Sequence, residues 1–526
     1  MIGYMQELAK YEIYFFYALT FVTLFPILLF ETFPTVDGPA HLYNSRLIHE
    51  LLTENTDYLF NFFKFNKDFI PNWLGHFVLS NLMFLFPALI AEKIVLSIYI
   101  ILLPFSVRFL WKELSIGCQV DSFALYFIFP FSYSFLFYFG FYNFHLGMVL
   151  LFFTIGLWIK YSKSSPIKTR HLAFLILLTL AIYFSHLFVF AIFVGVIGYI
   201  TMIDFLKSQK PKVDFFNSLK TRIFLILPGC ILTIIYLINH SIVPDSYPNP
   251  VSLSDSWSAI QSIEPARAIK YGKEGVFTKW IFILFSIIVC NLLIVRIKNF
   301  KASLNYNNII LGGISIGLLI GFFVIPNGST FIKARLLVFF FLFFILFISI
   351  QKINVWVKVI SFVIINYVNI ALIKIYIEST SEANKITREI IAASKHIEPY
   401  STVLPIDESG HWLLSHSSNY LGVNKTLVIL ENYEASTDYF PLVWNNSNLP
   451  YLHLGDTTLT PLNFPRNRAN ALSQIDYIFI MSSTDNSKNK GKIEIELKDI
   501  LDKNYRLTYT NGSNNIKVYK KALNKN

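Results

Sequence analysis

Long runs of apolar residues alternate with short polar connectors over the first 377 residues, and this alternation predicts a polytopic α-helical membrane protein. Phe, Leu and Ile dominate these runs, which are roughly 18–20 residues long, as an α-helix must be to cross a bilayer. The first run lacks a small-residue cleavage site, so we expect an uncleaved span rather than a signal peptide. About eleven runs are predicted to span the membrane, namely 13–30, 93–111, 121–139, 143–160, 171–184, 187–204, 221–241, 277–296, 306–325, 334–351 and 353–377.

Basic residues in the connectors select one topology, because Lys and Arg are enriched on the cytoplasmic side of membrane proteins. A further apolar stretch, 76–90, is predicted to lie along the outer interface, which leaves Arg108, Lys163, Lys207 and Lys298 inside. The N-terminus is then cytoplasmic. Four segments are predicted to lie outside: the first external loop 31–92, the second external loop 242–276, the turn 326–333 and the tail from 378.

The tail has a different pattern from the rest of the chain. Its short β-rich runs are STVLPI, KTLVILE, DYIFIM, YRLTYT and NIKVYKK, and polar stretches separate them. Such runs predict strands. The sequence therefore predicts a transmembrane domain over 1–377 and a small extracytoplasmic α/β domain over 378–526.

Composition supports the membrane assignment and excludes several functions. Charged residues make up 15% of the chain, whereas soluble domains carry about 25%. The net charge of +11 comes from Lys and Arg in the connectors, so we expect no nucleic-acid partner. Cys118, Cys230 and Cys290 lack CxxC spacing, which argues against a disulfide framework or a zinc knuckle. The chain also lacks a phosphate-binding loop and a GxSxG elbow, so coupling to nucleotide is not expected.

Polar residues with chemical capacity gather on the predicted outer side of the membrane. Asp37 opens the first external loop, and His41 follows one helical turn later on the same face. Ionisable groups near membrane depth are costly and commonly mark a functional site. The other candidates on this side, which we expect to bind substrate or phosphate, are Asn143, His145, His186, His240, Arg267, Lys333 and Arg335.

Each candidate also has a structural interpretation, and these alternatives stay open. Asp37 is suited to cap the helix that begins near Pro39, because an acidic N-cap followed by proline is a common helix start. Histidine at the end of a span is often only an interfacial residue. Arg335 is long enough to extend to lipid headgroups, and Arg267 fits a solvated loop.

This pattern resembles the GT-C superfamily of integral membrane glycosyltransferases, especially the bacterial branch akin to protein O-mannosyltransferases and aminoarabinose transferases. An uncleaved first span leads directly into a long external loop with an early carboxylate, and an extracytoplasmic domain ends the chain. The stretches that carry the resemblance are TVDGPAHLYNSRLIHELL, PNWLGHFVLSNLMFLFPALIAEK and PNGSTFIKARLL.

The resemblance implies an enzyme that takes a sugar from a polyprenyl-phosphate carrier and passes it to a lipid, glycan or protein acceptor outside the membrane. It implies that Asp37 acts as the general base on the acceptor hydroxyl. His41 would tune that carboxylate or contact the acceptor. Arg335 and Lys333 match the residues that hold the carrier phosphate in such enzymes.

The chain departs from the family pattern at one position that bears on metal binding. Many members have adjacent acidic residues in the first loop, whereas here Gly38 follows Asp37 and the nearest acidic neighbour is Glu31. We therefore assign no metal ligands and expect no cofactor. His411 and His416 in the tail lack the HExxH pattern of a zinc protease, so metal binding is not expected there.

Two other functions remain alternatives, a transporter or flippase of lipid-linked saccharide and a non-catalytic membrane scaffold. Transporters commonly have polar groups at the bilayer midplane, whereas here the middles of the spans are almost purely Phe, Leu and Ile. The high content of Lys, Asn, Ile and Phe hints at an AT-rich bacterial genome. We therefore expect an inner-membrane protein with a periplasmic C-terminal domain.

Overall fold

The fold is known from a computed structural model that describes most of the chain. It describes residues 2–53, 57–116, 122–163, 167–207, 212–240, 252–298, 305–326, 331–445, 449, 474–482 and 492–522. Part of the predicted second external loop, 242–251, and part of the PNGSTF turn, 327–330, lie outside the described residues.

Nine helices in the described part of the chain are long and apolar enough to cross a membrane. The prediction of a polytopic helical membrane protein is thereby confirmed. Two further predicted spans, 121–139 and 171–184, correspond to shorter apolar helices, Ser122–Tyr138 and Thr169–Ser185. The count of eleven spans and their orientation stay predictions. The nine candidate spans are Tyr11–Leu28, Ala88–Leu114, Tyr142–Ser162, Leu187–Leu206, Phe216–Asn239, Gly272–Val295, Tyr306–Val324, Ile332–Ser349 and Val355–Ser394.

Shorter helices and extensions complete the helical part. Some candidate spans are parts of longer helices, namely Leu187–Lys207, Lys212–Asn239 and Tyr271–Lys298. The first span is formed by two successive helices, Ile2–Thr23 and Phe25–Leu28. Among the described residues, the other α-helices are Gly38–Thr53, Asp57–Phe60, Leu74–Leu82, Phe135–Tyr138, Leu253–Gln261 and Lys492–Asn504. The described part of the chain also contains the 3₁₀ helices Ser122–Phe131, Glu264–Ala266, Trp412–Leu414, Ser417–Gly422 and Glu434–Ser436.

The apolar stretch 76–90, predicted as one interfacial helix, is divided in the structure. Helix Leu74–Leu82 ends before Met83, and the next long helix begins at Ala88. Pro87 explains the break, because proline lacks a backbone N–H and disfavours helical geometry at the residue before it. The prediction of a single helix is therefore wrong.

The C-terminal region forms a mixed five-stranded β-sheet, as its β-rich runs predict. Its strands are β2 (Ser401–Glu408), β3 (Leu427–Ile429), β5 (Tyr477–Ser482), β6 (Tyr505–Thr510) and β7 (Ile516–Lys521). Their order in the sheet is β3-β2-β5-β7-β6. Strand β2 is parallel to both β3 and β5, and β7 is antiparallel to both β5 and β6. The first six residues of β2 are all buried, as expected of a central parallel strand that is covered on both faces.

A second, two-stranded sheet joins the first loop to the C-terminal region. Strand β1 (Phe63–Phe65) pairs antiparallel with β4 (Leu442–Trp444), with Phe63 opposite Trp444. The rings of these two residues stack with centroids 4.7 Å apart. A strand pair of this length is marginal alone, so the stacked aromatic pair contributes to holding the loop on the C-terminal region.

The chain forms two compact units that do not follow the order of the sequence. The first unit comprises Met1–Pro26, Ser97–Tyr138 and Asn143–Ser379, and it holds most of the candidate spans. The second unit comprises Ile27–Leu96, Phe139–Tyr142 and Thr380–Asn526. The first loop and the C-terminal region thus belong to one unit. The predicted domain boundary at 377–378 falls inside helix Val355–Ser394 and stays a prediction.

Candidate active site

Asp37 lies at the start of helix Gly38–Thr53, where a short segment from elsewhere in the chain fixes its backbone. Its N–H donates to the carbonyl of Phe139 at 3.0 Å. Gly140 has a φ of +90°, and a Cβ atom there would lie 2.7 Å from the Asp37 and Gly38 nitrogens. Only glycine fits such a close approach at a positive φ. The segment Phe139–Tyr142 therefore sets the position of the carboxylate.

The carboxylate of Asp37 is buried and faces the C-terminal region of the same unit. The hydroxyl of Tyr433 donates a hydrogen bond to it, and Nε2 of His416 lies 3.8 Å from Oδ1. Burial raises the pKa of Asp37 to about 6, against the opposing effect of the His416 and His41 imidazoles. A carboxylate with this pKa accepts a proton near neutral pH more readily than an ordinary aspartate does.

His416 is held in place by a second buried carboxylate. Its Nδ1 lies 2.5 Å from Oε1 of Glu431. Glu431 also accepts hydrogen bonds from the hydroxyl of Ser418 and, at 3.0 Å, from the side-chain amide of Asn419. Burial acts to lower the pKa of His416, but the hydrogen bond and the charge of Glu431 raise it above its ordinary value. The result is a chain of carboxylate, imidazole and carboxylate from Glu431 through His416 to Asp37.

A second imidazole–carboxylate group adjoins Asp37. Nδ1 of His41 lies 2.5 Å from Oε1 of Glu434, and Nε2 of His76 lies 2.7 Å from Oε2. All three side chains are buried. Burial acts to raise the pKa of Glu434, but the two imidazoles hold it below its ordinary range. Asp37 interacts electrostatically with both His41 and Glu434, so the two groups form one charged region.

Buried polar contacts anchor helix Gly38–Thr53 to the C-terminal region. The side-chain amides of Asn44 and Asn432 exchange two hydrogen bonds of 2.9 Å. The hydroxyl of Tyr43 donates to the carbonyl of Leu427 at 2.7 Å and accepts from the N–H of Ile429 at 3.1 Å. Buried polar groups that are fully paired in this way specify a single arrangement, so they fix His41 relative to Glu434.

One more buried carboxylate lies beside this region. Glu92 accepts a hydrogen bond of 2.9 Å from the hydroxyl of Tyr142. That hydroxyl is also 3.2 Å from Oγ1 of Thr35, which accepts the N–H of Gly38. The ring of Tyr142 lies 5.3 Å from the ring of His41. These contacts link the start of the helix to the carboxylate of Glu92.

The other predicted site residues belong to the first unit, where most of them fall into two groups. In one group, Nζ of Lys333 donates to the buried hydroxyl of Ser256 at 3.0 Å. Glu264 interacts electrostatically with both Lys333 and Arg267. This group thus contains two of the predicted cations and one carboxylate.

The second group surrounds Phe144. The guanidinium of Arg335 lies 5.5 Å from the centre of the Phe144 ring, and the ring of His186 lies 5.6 Å from it. Both Arg335 and His145 act electrostatically on His186. Asn143 is buried and precedes Phe144 in helix Tyr142–Ser162. The structure therefore brings together three predicted residues here, Arg335, His186 and His145.

His240 lies at the end of helix Lys212–Asn239 and makes local contacts. Its Nδ1 lies 3.1 Å from the carbonyl of Tyr236, and the two rings stack at 4.4 Å. Both contacts are within one helical turn, so they do not join His240 to the residues around Arg335.

Sequence reasoning missed several members of the buried charged region. The sequence alone assigns no site role to His76, Glu431, Tyr433 or Glu434. It also predicts no metal binding at His416, because the tail lacks an HExxH motif. A signal was present, since ENYEASTDYFPLVW combines acidic and aromatic residues and contains three of them. The sequence matches no protein-family model and no curated protein, so the functional interpretation depends on the geometry of the residues themselves.

Proposed function

We propose that this protein is a membrane glycosyltransferase of the GT-C type, with Asp37 as the general base. It would move a sugar from a polyprenyl-phosphate-linked donor to a hydroxyl group of an extracytoplasmic acceptor. The observation that carries the proposal is the buried Asp37 carboxylate, whose pKa is raised to about 6 and which faces His416 and Tyr433. A general base works best when its pKa lies near the working pH.

The chemistry requires one proton acceptor and one stabilised leaving group. Asp37 takes the proton of the acceptor hydroxyl while the acceptor oxygen forms a bond to the anomeric carbon. The bond between that carbon and the phosphate oxygen breaks, and its electron pair leaves with the polyprenyl phosphate. Attack from the face opposite the phosphate inverts the anomeric centre, as one carboxylate base allows.

Cationic side chains can replace a general acid here, because a phosphate is a good leaving group whose developing charge they stabilise. The resemblance to GT-C enzymes assigns this role to Lys333 and Arg335. Both are buried at the beginning of helix Ile332–Ser349. Buried cations of this kind bind phosphate more strongly than exposed ones, since water screens them less.

The contacts of Asp37 support a role beyond helix capping. The Asp37 carboxylate contacts Tyr433 and His416. These residues come from the C-terminal region, and a cap does not need them.

The test compares cell-envelope glycans in a strain that lacks the gene. The strain receives wild type, Asp37→Asn or the control Asp68→Asn at matched membrane levels, and the masses of lipid-linked, polymeric and protein-linked glycans are measured. Asp68 is an exposed aspartate of the same loop, so its substitution changes the charge but not the buried region. We expect one sugar increment with wild type and with Asp68→Asn.

Asp37→Asn should lose the increment, because removal of a general base slows transfer about 10²–10⁴-fold. Full restoration by Asp37→Asn would show that Asp37 is a cap or a spectator. If wild type restores no increment, the transferase proposal fails and the transporter and scaffold alternatives take its place.

A further inference from the structure

Three side chains of the second unit bring together the atoms of a metal site. His41, His76 and Glu434 each offer one ligand atom, and these atoms lie within 4.8 Å of one another. We propose that they bind a single divalent transition-metal ion, for which Zn²⁺ matches the donor set best. Two imidazole nitrogens and one carboxylate oxygen are a known zinc combination, which leaves a fourth position open to water or to a ligand.

Each oxygen of the Glu434 carboxylate faces an imidazole nitrogen at short range. The separations are 2.5 Å to Nδ1 of His41 and 2.7 Å to Nε2 of His76. Nδ1 of His41 and Oε1 of Glu434 are both buried and lie 2.5 Å apart. Buried charged groups are stabilised when they are paired or coordinate a metal ion, and a cation bound by both atoms would meet that requirement.

Each imidazole also has a backbone partner. Nδ1 of His76 lies 3.3 Å from the carbonyl of Asn72, which accepts only from an N–H. His41 makes a hydrogen bond with the backbone of Gly140. Backbone bonds of this kind are typical of histidines that bind metals, because they hold a ring proton on the nitrogen away from the metal. In neutral imidazoles oriented in this way, the nitrogens that face Glu434 carry lone pairs.

Two lone pairs at 2.5–2.7 Å repel each other unless a proton or a metal ion lies between them. A metal ion satisfies both contacts at once. Tetrahedral zinc ligands at 2.0–2.1 Å are roughly 3.3 Å apart, so the two short contacts would widen by less than about 1 Å. The alternative to a metal site is a metal-free triad in which two protonated imidazoles flank the Glu434 carboxylate.

The surroundings suit a protected ion. The ring of Phe440 lies 5.8 Å from the ring of His41 and 5.7 Å from that of His76. An apolar wall limits the access of water and strengthens the binding of charged ligands to a metal. The hydrogen-bonded contacts of Tyr43 and Asn44 fix the helix that carries His41. The ligands are thus positioned before an ion arrives.

Metal binding can be measured without any assumption about the transferase activity. The full-length protein in detergent is treated with a chelator, dialysed and supplied with Zn²⁺, and the metal bound per polypeptide is determined by mass spectrometry. A parallel sample receives Co²⁺, whose visible spectrum reports coordination by nitrogen and oxygen ligands. The variants are His76→Gln, Glu434→Gln and the control His49→Gln. His49 is a half-buried histidine on the same helix as His41, and its ring meets that of Phe84 edge to face.

We expect about one Zn²⁺ per chain for wild type and for His49→Gln. His76→Gln and Glu434→Gln should lose the tightly bound ion. The proposal is overturned if stripped wild type takes up no Zn²⁺, or if folded His76→Gln and Glu434→Gln bind as much as wild type. Should both variants fail to fold, the Co²⁺ spectrum of wild type decides: a four-coordinate spectrum supports the site, and the spectrum of aqueous Co²⁺ refutes it.

Discussion

In the second unit, the buried carboxylates of Asp37, Glu431 and Glu434 lie against imidazoles. In the first unit, the buried cations Lys333 and Arg335 lie against a hydroxyl group and an aromatic ring. These two sets of buried charged residues thus have different nearest partners. Imidazole and carboxylate exchange protons near neutral pH, whereas the guanidinium of an arginine keeps its charge.

In the proposed glycosyl transfer, this difference would separate two tasks. A proton acceptor needs a pKa that its neighbours can adjust, and the second unit provides that kind of neighbour. A phosphate ligand needs constant positive charge, and the first unit provides it. The comparison therefore supports placing the proton transfer on the Asp37 region and the phosphate on the Lys333 and Arg335 groups.

The largest effect is expected from Gly140→Ala, which disturbs the backbone beneath Asp37. The added Cβ would lie 2.7 Å from two backbone nitrogens at a φ of +90°. We expect a loss on the order of 3 kcal/mol in the free energy of unfolding, from strain and overlap together. Gly410→Ala is the control, because φ there is +64° but no atom lies within 4 Å of the added Cβ.

Thermal unfolding in detergent measures both variants. Gly410→Ala should cost only about 1 kcal/mol, the strain term alone. Equal losses in the two variants would mean that the segment Phe139–Tyr142 does not fix the position of Asp37.

A smaller effect is expected from His416→Gln, which removes the imidazole between Glu431 and Asp37. We expect the rate of sugar transfer at saturating donor to fall roughly 10–100-fold, as for other groups that orient a reacting side chain. The Michaelis constant for the donor should change little, because His416 is not assigned to the phosphate. His411→Gln is a matched control, since His411 is an exposed histidine of the same segment.

Equal transfer rates in these two variants would contradict the role given to His416. A rate for His416→Gln equal to that of His411→Gln would remove the carboxylate–imidazole–carboxylate chain from the mechanism.

The smallest effect is expected from Lys333→Met, which keeps an unbranched side chain one atom shorter and removes its charge. We expect the Michaelis constant for the polyprenyl-phosphate donor to rise roughly tenfold, since a hydrogen bond to a charged group contributes about 1.5–3 kcal/mol. Lys273→Met, at a lysine that is 64% exposed in the same unit, serves as control. A change in the maximal rate alone, with the donor constant unchanged, would place Lys333 outside the phosphate site.

The sequence predicts the elements of this fold that depend on local patterns. Apolar runs of sufficient length mark the candidate spans, and β-rich runs mark all five strands of the C-terminal sheet. Pro87 is also a local signal, because proline by itself predicts the helix break before Ala88. The 3₁₀ geometry of Ser122–Phe131 was not predictable, because an apolar run has the same pattern in a 3₁₀ helix as in a buried α-helix.

Only part of the candidate site was predictable from the sequence. Asp37 and His41 stand out because they follow an apolar run directly. His76 and Glu434 do not, since 358 positions separate them and their contact depends on tertiary packing. The pairing of β1 with β4, and of Asn44 with Asn432, brings the two segments into one unit. Long-range pairings of this kind produce no repeating hydrophobic pattern in the sequence of either segment.

The most direct test of the central claim uses purified protein in liposomes. Lipids extracted from the deletion strain supply the polyprenyl-linked sugar, a membrane fraction supplies the acceptor, and mass spectrometry follows the release of polyprenyl phosphate. We predict that wild type releases polyprenyl phosphate and glycosylates the acceptor, whereas Asp37→Asn retains its fold and releases at least about 100-fold less. Equal release by wild type and Asp37→Asn would contradict the assignment of Asp37 as the base.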